Sequence, residues 1–360
     1  MFEIIFIILI TIIEFLGAQN NRIECLTPSP SIDEVEYTYD QFNEYKRNNQ
    51  SSRDTYPVHV LVAWHVIYNS NNAGYLSMSF IENVIANINE GYNPYQIYFT
   101  LDTVTYHQND DWWGTFSGSD QEAVEQDMRS STYIDPAHYY NIWTTDLSGS
   151  GACAWNYFPN IGEDSYWQGT TADIGCIGGS STTPVHEIGH YFYLFHTFQS
   201  GCNNPGDAVD DTPFHTDLNG SYPCNESLDT CPDDDGYDPV RNFMNYSDRY
   251  SCRNQFSMGQ IERVFWAIEN YHPSLLENQF YFPNLSVSNL NFQLDTDGDG
   301  VFNPGESIRL RASILNEWGA DAESVTAILR TDDSRLNILD SMITFANAIT
   351  PGEVSFTLLD

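Results

Sequence analysis

A chain of 360 residues with 13 basic and 50 acidic side chains carries a formal charge of −37. That field excludes nucleic acid and anionic membrane surfaces as partners, and leaves cationic peptides, calcium or a solvated acidic surface as its use. The length accommodates two domains.

Residues 1–18, MFEIIFIILITIIEFLGA, form a short apolar run ending in small residues, which predicts a secretory signal peptide cleaved near Ala18. The run is short for a membrane span, the alternative that its missing Lys and Arg and its Glu14 leave open. Seven cysteines, six of them far beyond Cys25, suit disulfides in an oxidising, extracellular compartment. Residues 19–56 are polar and poor in apolar periodicity, and read as a partly ordered leader, not a domain. The leader contains Arg22-Ile23-Glu24-Cys25. A free thiolate there would occupy the open position of a metal enzyme and keep it latent; a disulfide partner is the plainer alternative.

Residues 57–68 are β-rich and apolar, suiting a buried strand. Phe80, Ile81, Val84, Ile85 and Ile88 recur at helical spacing across 79–89. Residues 96–105 and 139–145 read as further strands. The Gly-rich stretches 149–151 and 178–181 read as loops, and Thr182 or Thr183 followed by Pro184 as a helix N-cap. This order predicts an α/β (α+β) domain over residues 57–275, with a twisted mixed sheet packed on one central helix.

That helix carries His186-Glu187-x-x-His190. Residues i and i+4 share a helix face, so two imidazoles address one point, with Glu187 beside it. Zinc with three protein ligands keeps a fourth position open and brings a bound water to a pKa of about 7; Glu187 would accept its proton. The third ligand is His196, or else Asp207, Asp210 or Asp211. For His196 to reach the metal the chain must bend, and the residue at the bend is Tyr193, where a glycine would take positive φ without cost. Two histidines and a glutamate buried without a metal would be costly polar groups in a core.

Past His196 the chain turns acidic. Asp207, the Val209 carbonyl and Thr212 offer oxygens to calcium, although an Asx-rich turn reads equally well. Residues 255–270 form a final amphipathic helix. After a break at 272–284, alternating segments at 285–292, 307–315 and 324–329 predict a small β-sandwich over 283–360. Between them Asp295, Asp297, Asp299, Gly300, Val301 and Glu306 stand at positions 1, 3, 5, 6, 7 and 12 of a calcium loop.

The zinc stretch ending in His196-Thr197-Phe198, together with Asn242-Phe243-Met244-Asn245-Tyr246-Ser247-Asp248, resembles the pappalysin family of metzincin zinc metalloendopeptidases over roughly residues 55–270. Further matches are Val66-Ile67-Tyr68, Gly206-Asp207, Asp211-Thr212-Pro213, Cys252 and Asn254-Gln255-Phe256. The resemblance implies a metzincin-like domain in which His186, His190 and His196 hold zinc. Glu187 would be the general base, Tyr246 would stabilise an oxyanion, and Met244 would form the Met-turn beneath the metal. It also implies structural calcium at Asp207, Val209 and Thr212, and disulfides Cys202–Cys231, Cys224–Cys252 and Cys153–Cys176. Cys25 is left odd, as in relatives with a cysteine switch, although Cys-Leu replaces the usual Cys-Gly. The expected protein is a secreted zinc endopeptidase acting on protein or peptide substrates, with a monomer as default. The competing expectation is an inactive zinc domain used for adhesion or binding.

Overall fold

The computed structural model describes residues 23–48, 57–218, 223–247 and 252–281, and shorter segments between 283 and 356. Its framework is one six-stranded sheet in the order β1-β5-β6-β4-β2-β3. The strands are β1 (Ile23–Cys25), β2 (Val58–Tyr68), β3 (Ile97–Gln108), β4 (Tyr139–Thr145), β5 (Ala152–Trp155) and β6 (Thr170–Asp173). β3, β2, β4 and β6 run parallel; β5 opposes β6, and β1 runs parallel to β5. β2 is buried from Val60 to Ile67, as its apolar run demands for a strand covered on both faces.

The helices are α1 (Ile32–Asn48), α2 (Met78–Tyr92), α3 (Gln121–Thr132), α4 (Thr183–Tyr191) and α5 (Met258–Tyr271). α2 begins at Ser77, whose hydroxyl accepts from the Phe80 N–H, and buries Ile81, Val84, Ile85 and Ile88. α5 begins with a reciprocal capping box between Ser257 and Gln260. The main core joins Val60, Val62 and Trp64 of β2 to Ile188 of α4 and to Val264, Phe265 and Ile268 of α5. Buried Glu125 of α3 accepts from Trp155 of β5 and Thr171 of β6 and pairs with Arg129 at 2.7 Å, fixing α3 to that end of the sheet.

Several elements are additional to those read from the sequence. In the partly ordered leader, residues 32–48 are helical, burying Val35, Thr38 and Phe42, with Phe42 against Trp266 of α5. Only three residues of that helix are buried, too sparse an apolar pattern to read from a polar sequence. α3 and the four-residue strands β5 and β6 are also additional; α3 buries only Glu125, Met128 and Arg129, too few apolar residues to show a hydrophobic period. The calcium-loop positions Asp295, Asp297, Asp299, Val301 and Glu306, and the signal segment, lie outside the described residues. In the C-terminal region, β7 (Leu285–Leu294), β8 (Arg309–Asn316) and β11 (Val354–Phe356) form an antiparallel sheet. A two-stranded ladder, β9 (Thr326–Ile328) with β10 (Met342–Thr344), stands beside it in sequence.

Two buried histidines give the fold a pH dependence. His65 lies between Thr105 and Asn141, and His272 stacks on Tyr191 and contacts its carbonyl. Burial holds both at about 4, against an ordinary 6.5. The unfolded chain therefore binds protons that the native chain refuses between those values. Stability is expected to fall as pH drops from 6.5 to about 4, and calorimetric melting across that range checks it. A flat melting temperature there would contradict the assignment.

Candidate metal centre

α4 starts at Thr183, with Pro184 inside its first turn. Thr182 holds the N-cap position, as expected, but makes no side-chain cap; the Ser181 hydroxyl accepts from the Thr183 N–H instead. On this helix His186, Glu187 and His190 are all fully buried. Gly189 lies between them because a Cβ there would stand 2.3 Å from the Met244 sulfur.

The helix ends at Tyr191 and the chain reverses. Leu194 N–H donates to the Gly189 carbonyl and Tyr193 N–H to the His190 carbonyl, a left-handed helix exit. Tyr193 holds φ +63°, the conformation where glycine would be strain-free. Its ring stacks on Trp266 at 6.0 Å and 11°, and Arg263 of α5 donates to its carbonyl at 2.8 Å. Backbone strain of about 1–2 kcal/mol is outweighed by burying a large aromatic side chain, worth about 3–5 kcal/mol. Tyr193→Gly is therefore expected to destabilise the protein by about 2 kcal/mol, read by denaturant melting; a stabilised variant would show that strain dominates.

The bend delivers His196. The three Nε2 atoms of His186, His190 and His196 lie 3.1–3.2 Å apart. Nitrogens about 2.05 Å from one tetrahedral zinc would stand about 3.3 Å apart. The outer nitrogens of two rings are fixed: His186 Nδ1 lies 2.7 Å from the Phe243 carbonyl and His190 Nδ1 2.8 Å from the Leu194 carbonyl. Nδ1–H donation to a carbonyl leaves Nε2 as a lone pair aimed at the common point. Burial holds all three imidazoles below their ordinary range, His190 at about 4, so they are neutral and ready to bind a cation. Three convergent lone pairs without protons to share fit a metal ion.

Cys25 joins them. Its Sγ and the three histidines form a buried group with all ligand atoms within 4.8 Å of one another. Among the described residues no carboxylate belongs to this group, and Asp207, Asp210 and Asp211 do not share it. Asp210 is engaged by the leader, through Tyr39 at 2.8 Å and Lys46 at 2.7 Å. Burial first, and then Glu187, push the Cys25 thiol up; without a cation it keeps its proton and donates to Glu187 Oε2 at 3.6 Å. Thr27 donates to the same oxygen at 3.3 Å, while Glu187 Oε1 is buried without a partner. Burial lifts Glu187 to about 8.

The leader reaches this point as a strand. Cys25 pairs with Ala154, Ile23 N–H donates to the Gly151 carbonyl and Leu26 N–H to the Ala154 carbonyl. Tyr246 donates to the Cys25 carbonyl at 3.2 Å, its ring 4.8 Å from that of His196. Met244 is fully buried against α4. Asp207, Val209 and Thr212 meet: the Thr212 hydroxyl lies 2.6 Å from Asp207 Oδ1 and 2.8 Å from the Val209 carbonyl. Asp207 Oδ2 is buried without a partner, and burial raises that carboxyl to about 7. Cys153–Cys176, Cys202–Cys231 and Cys224–Cys252 are disulfide-bonded, and Cys25 is free. Sequence reasoning passed over Thr27, Glu24 and Arg253. Arg253, one of 13 basic residues in so acidic a chain and adjacent to a half-cystine past the Met-turn, was the available signal.

Residues 125–269 match the M43 peptidase family, described as pregnancy-associated plasma protein-A. An extracellular metalloprotease of Colletotrichum graminicola is 34% identical over 261 residues, covering 68% of this chain and 90% of the relative. One from Neurospora crassa is 33% identical over 271 residues, covering 70% and 91%. The fold is shared with a Tannerella forsythia promirolysin mutant at TM-score 0.56 and 20% identity, covering 71% of this chain and 97% of that one. Mature mirolysin in complex with a cleaved peptide aligns at TM-score 0.52 and 22% identity, covering 62% and 97%. With a third of the aligned residues identical across nine-tenths of these relatives, the chain belongs to the M43, or pappalysin, family and is a metalloendopeptidase.

Proposed function

We propose that the chain is a secreted zinc endopeptidase made in a latent form. The observation that carries this is the convergence of three imidazole nitrogens and the Cys25 sulfur, with buried Glu187 bonded to that sulfur, where residues 23–25 lie along β5 as an added strand. His186, His190 and His196 would hold the ion. When bound, zinc supplies a Lewis acid for the scissile carbonyl and lowers the pKa of a water. Glu187 takes a proton from the attacking water and passes it to the departing amine. Tyr246, whose hydroxyl already reaches a main-chain carbonyl across the centre, would stabilise the oxyanion. Met244 would floor the site. A substrate would add to β5 as an extended strand, as the leader does.

Residues 1–18 would be the signal peptide, 19–56 the leader, 57–275 the catalytic domain and 283–360 a β-sandwich accessory domain. The names of the extracellular relatives support secretion, and among the described residues no helix is long and apolar enough to cross a membrane. The unpartnered Asp207 oxygen suits structural calcium with the Val209 carbonyl and Thr212; the loop of Asp295, Asp297, Asp299, Val301 and Glu306 would bind a second ion. Cys25, as thiolate on the metal, would be the latch.

The full chain with Cys25→Ala is expected to cleave casein at least about tenfold faster than the wild type, and chelator is expected to stop it. Unchanged activity would sink the latch. Stoichiometric zinc with no turnover on any peptide library would favour the binding-module alternative.

A further inference from the structure

Arg253 lies seven residues past Tyr246, beside Cys252, and its side chain is fully buried. Nη1 donates to the Asn245 carbonyl at 2.9 Å, Nη2 donates to Glu24 Oε1 at 2.8 Å, and Nε has no partner. Thr183, the first residue of α4, donates its hydroxyl to that same Glu24 oxygen at 2.8 Å. The Glu24 side chain is only 11% exposed. A guanidinium, a hydroxyl and the positive end of α4 thus converge on one carboxylate.

The position of that carboxylate is informative. Glu24 immediately precedes Cys25, whose sulfur belongs to the metal cluster, and both residues are in the strand paired to β5. The pocket is therefore one residue along an extended chain from the metal-facing position. When the leader leaves, Arg253 loses its carboxylate partner and can take another anion in its place.

We propose that Arg253, with Thr183, forms a specificity pocket that takes the carboxylate of an Asp or Glu flanking the scissile bond. Glu24 is the internal stand-in for that substrate residue. This deepens the peptidase reading and rests on it. It also runs against the expectation from net charge that cationic peptides suit this chain. The surface field is screened beyond about 8–10 Å in physiological salt, whereas a desolvated contact at hydrogen-bond distance is not.

The test is cleavage-site profiling of the zinc-loaded chain, freed of its leader by limited proteolysis, on a peptide library. Asp and Glu are expected to dominate one position next to the cut, with kcat/KM about tenfold or more above matched Asn and Gln peptides. Arg253→Gln is expected to bring that ratio to about one, Arg253→Lys to retain part of it, and Arg253→Glu to favour Lys or Arg instead. Independently of variants, a peptide of residues 20–30 is expected to bind the leader-free protein about tenfold or more tighter than its Glu24→Gln version by calorimetry. Abundant cleavage without acidic enrichment, or equal affinity of the two peptides, overturns the pocket and leaves the peptidase reading standing. No cleavage of any library member by the zinc-loaded protein sinks the peptidase reading and the pocket with it.

Discussion

Glu187→Gln, in the full chain freed of its leader, is expected to lower kcat on casein by about 10³-fold while zinc content is unchanged. General-base assistance contributes about 10²–10⁴-fold, and the amide is nearly isosteric but cannot accept the water's proton. The side chain is fully buried beside the three imidazoles, with one oxygen lacking any partner and the other bonded only to leader groups, Thr27 and Cys25. Burial lifts the carboxyl to about 8 with the leader in place, because an anion is poorly solvated there. A cation at the histidines would reverse that preference and restore the carboxylate. Metal analysis by mass spectrometry separates loss of chemistry from loss of zinc. Proteolysis at the wild-type rate would reject Glu187 as the base.

His196→Ala is expected to weaken zinc binding by at least about 100-fold, since even the partners behind a ligand cost 10–100-fold when removed. Melting temperature in zinc should fall toward the metal-free value, because binding free energy adds to folding only while the site is complete. Asp210→Asn is the control: its partners are Tyr39 and Lys46 of the leader, so zinc should be retained. Stoichiometric metal in the His196 variant would reject the three-histidine centre.

Much of the site was legible because its chemistry is local. The i, i+4 spacing of His186 and His190 puts two ligands on one helical face whatever surrounds it. The main strands and α2 were legible for the same reason, being apolar runs or periods that only one local conformation buries. The weakly amphipathic α1, the polar α3 and the four-residue β5 and β6 were not, since their burial depends on partners more than a hundred residues away or on polar networks such as Glu125 with Arg129, Trp155 and Thr171.

By itself the sequence determined the helix with its paired histidines and glutamate, the cysteine supply, the buried strands and the acid-rich surface. Tertiary structure alone decided that His196, and no aspartate, meets the two helix imidazoles, since the bend at Tyr193 is stabilised by Trp266 and Arg263, some seventy residues away. It also decided that the leader crosses the metal centre as a strand, and that Glu24 meets Arg253 across 229 residues. No local rule reaches such distances: propensity and periodicity fix the elements, while the packing of remote side chains fixes which functional groups share one point in space.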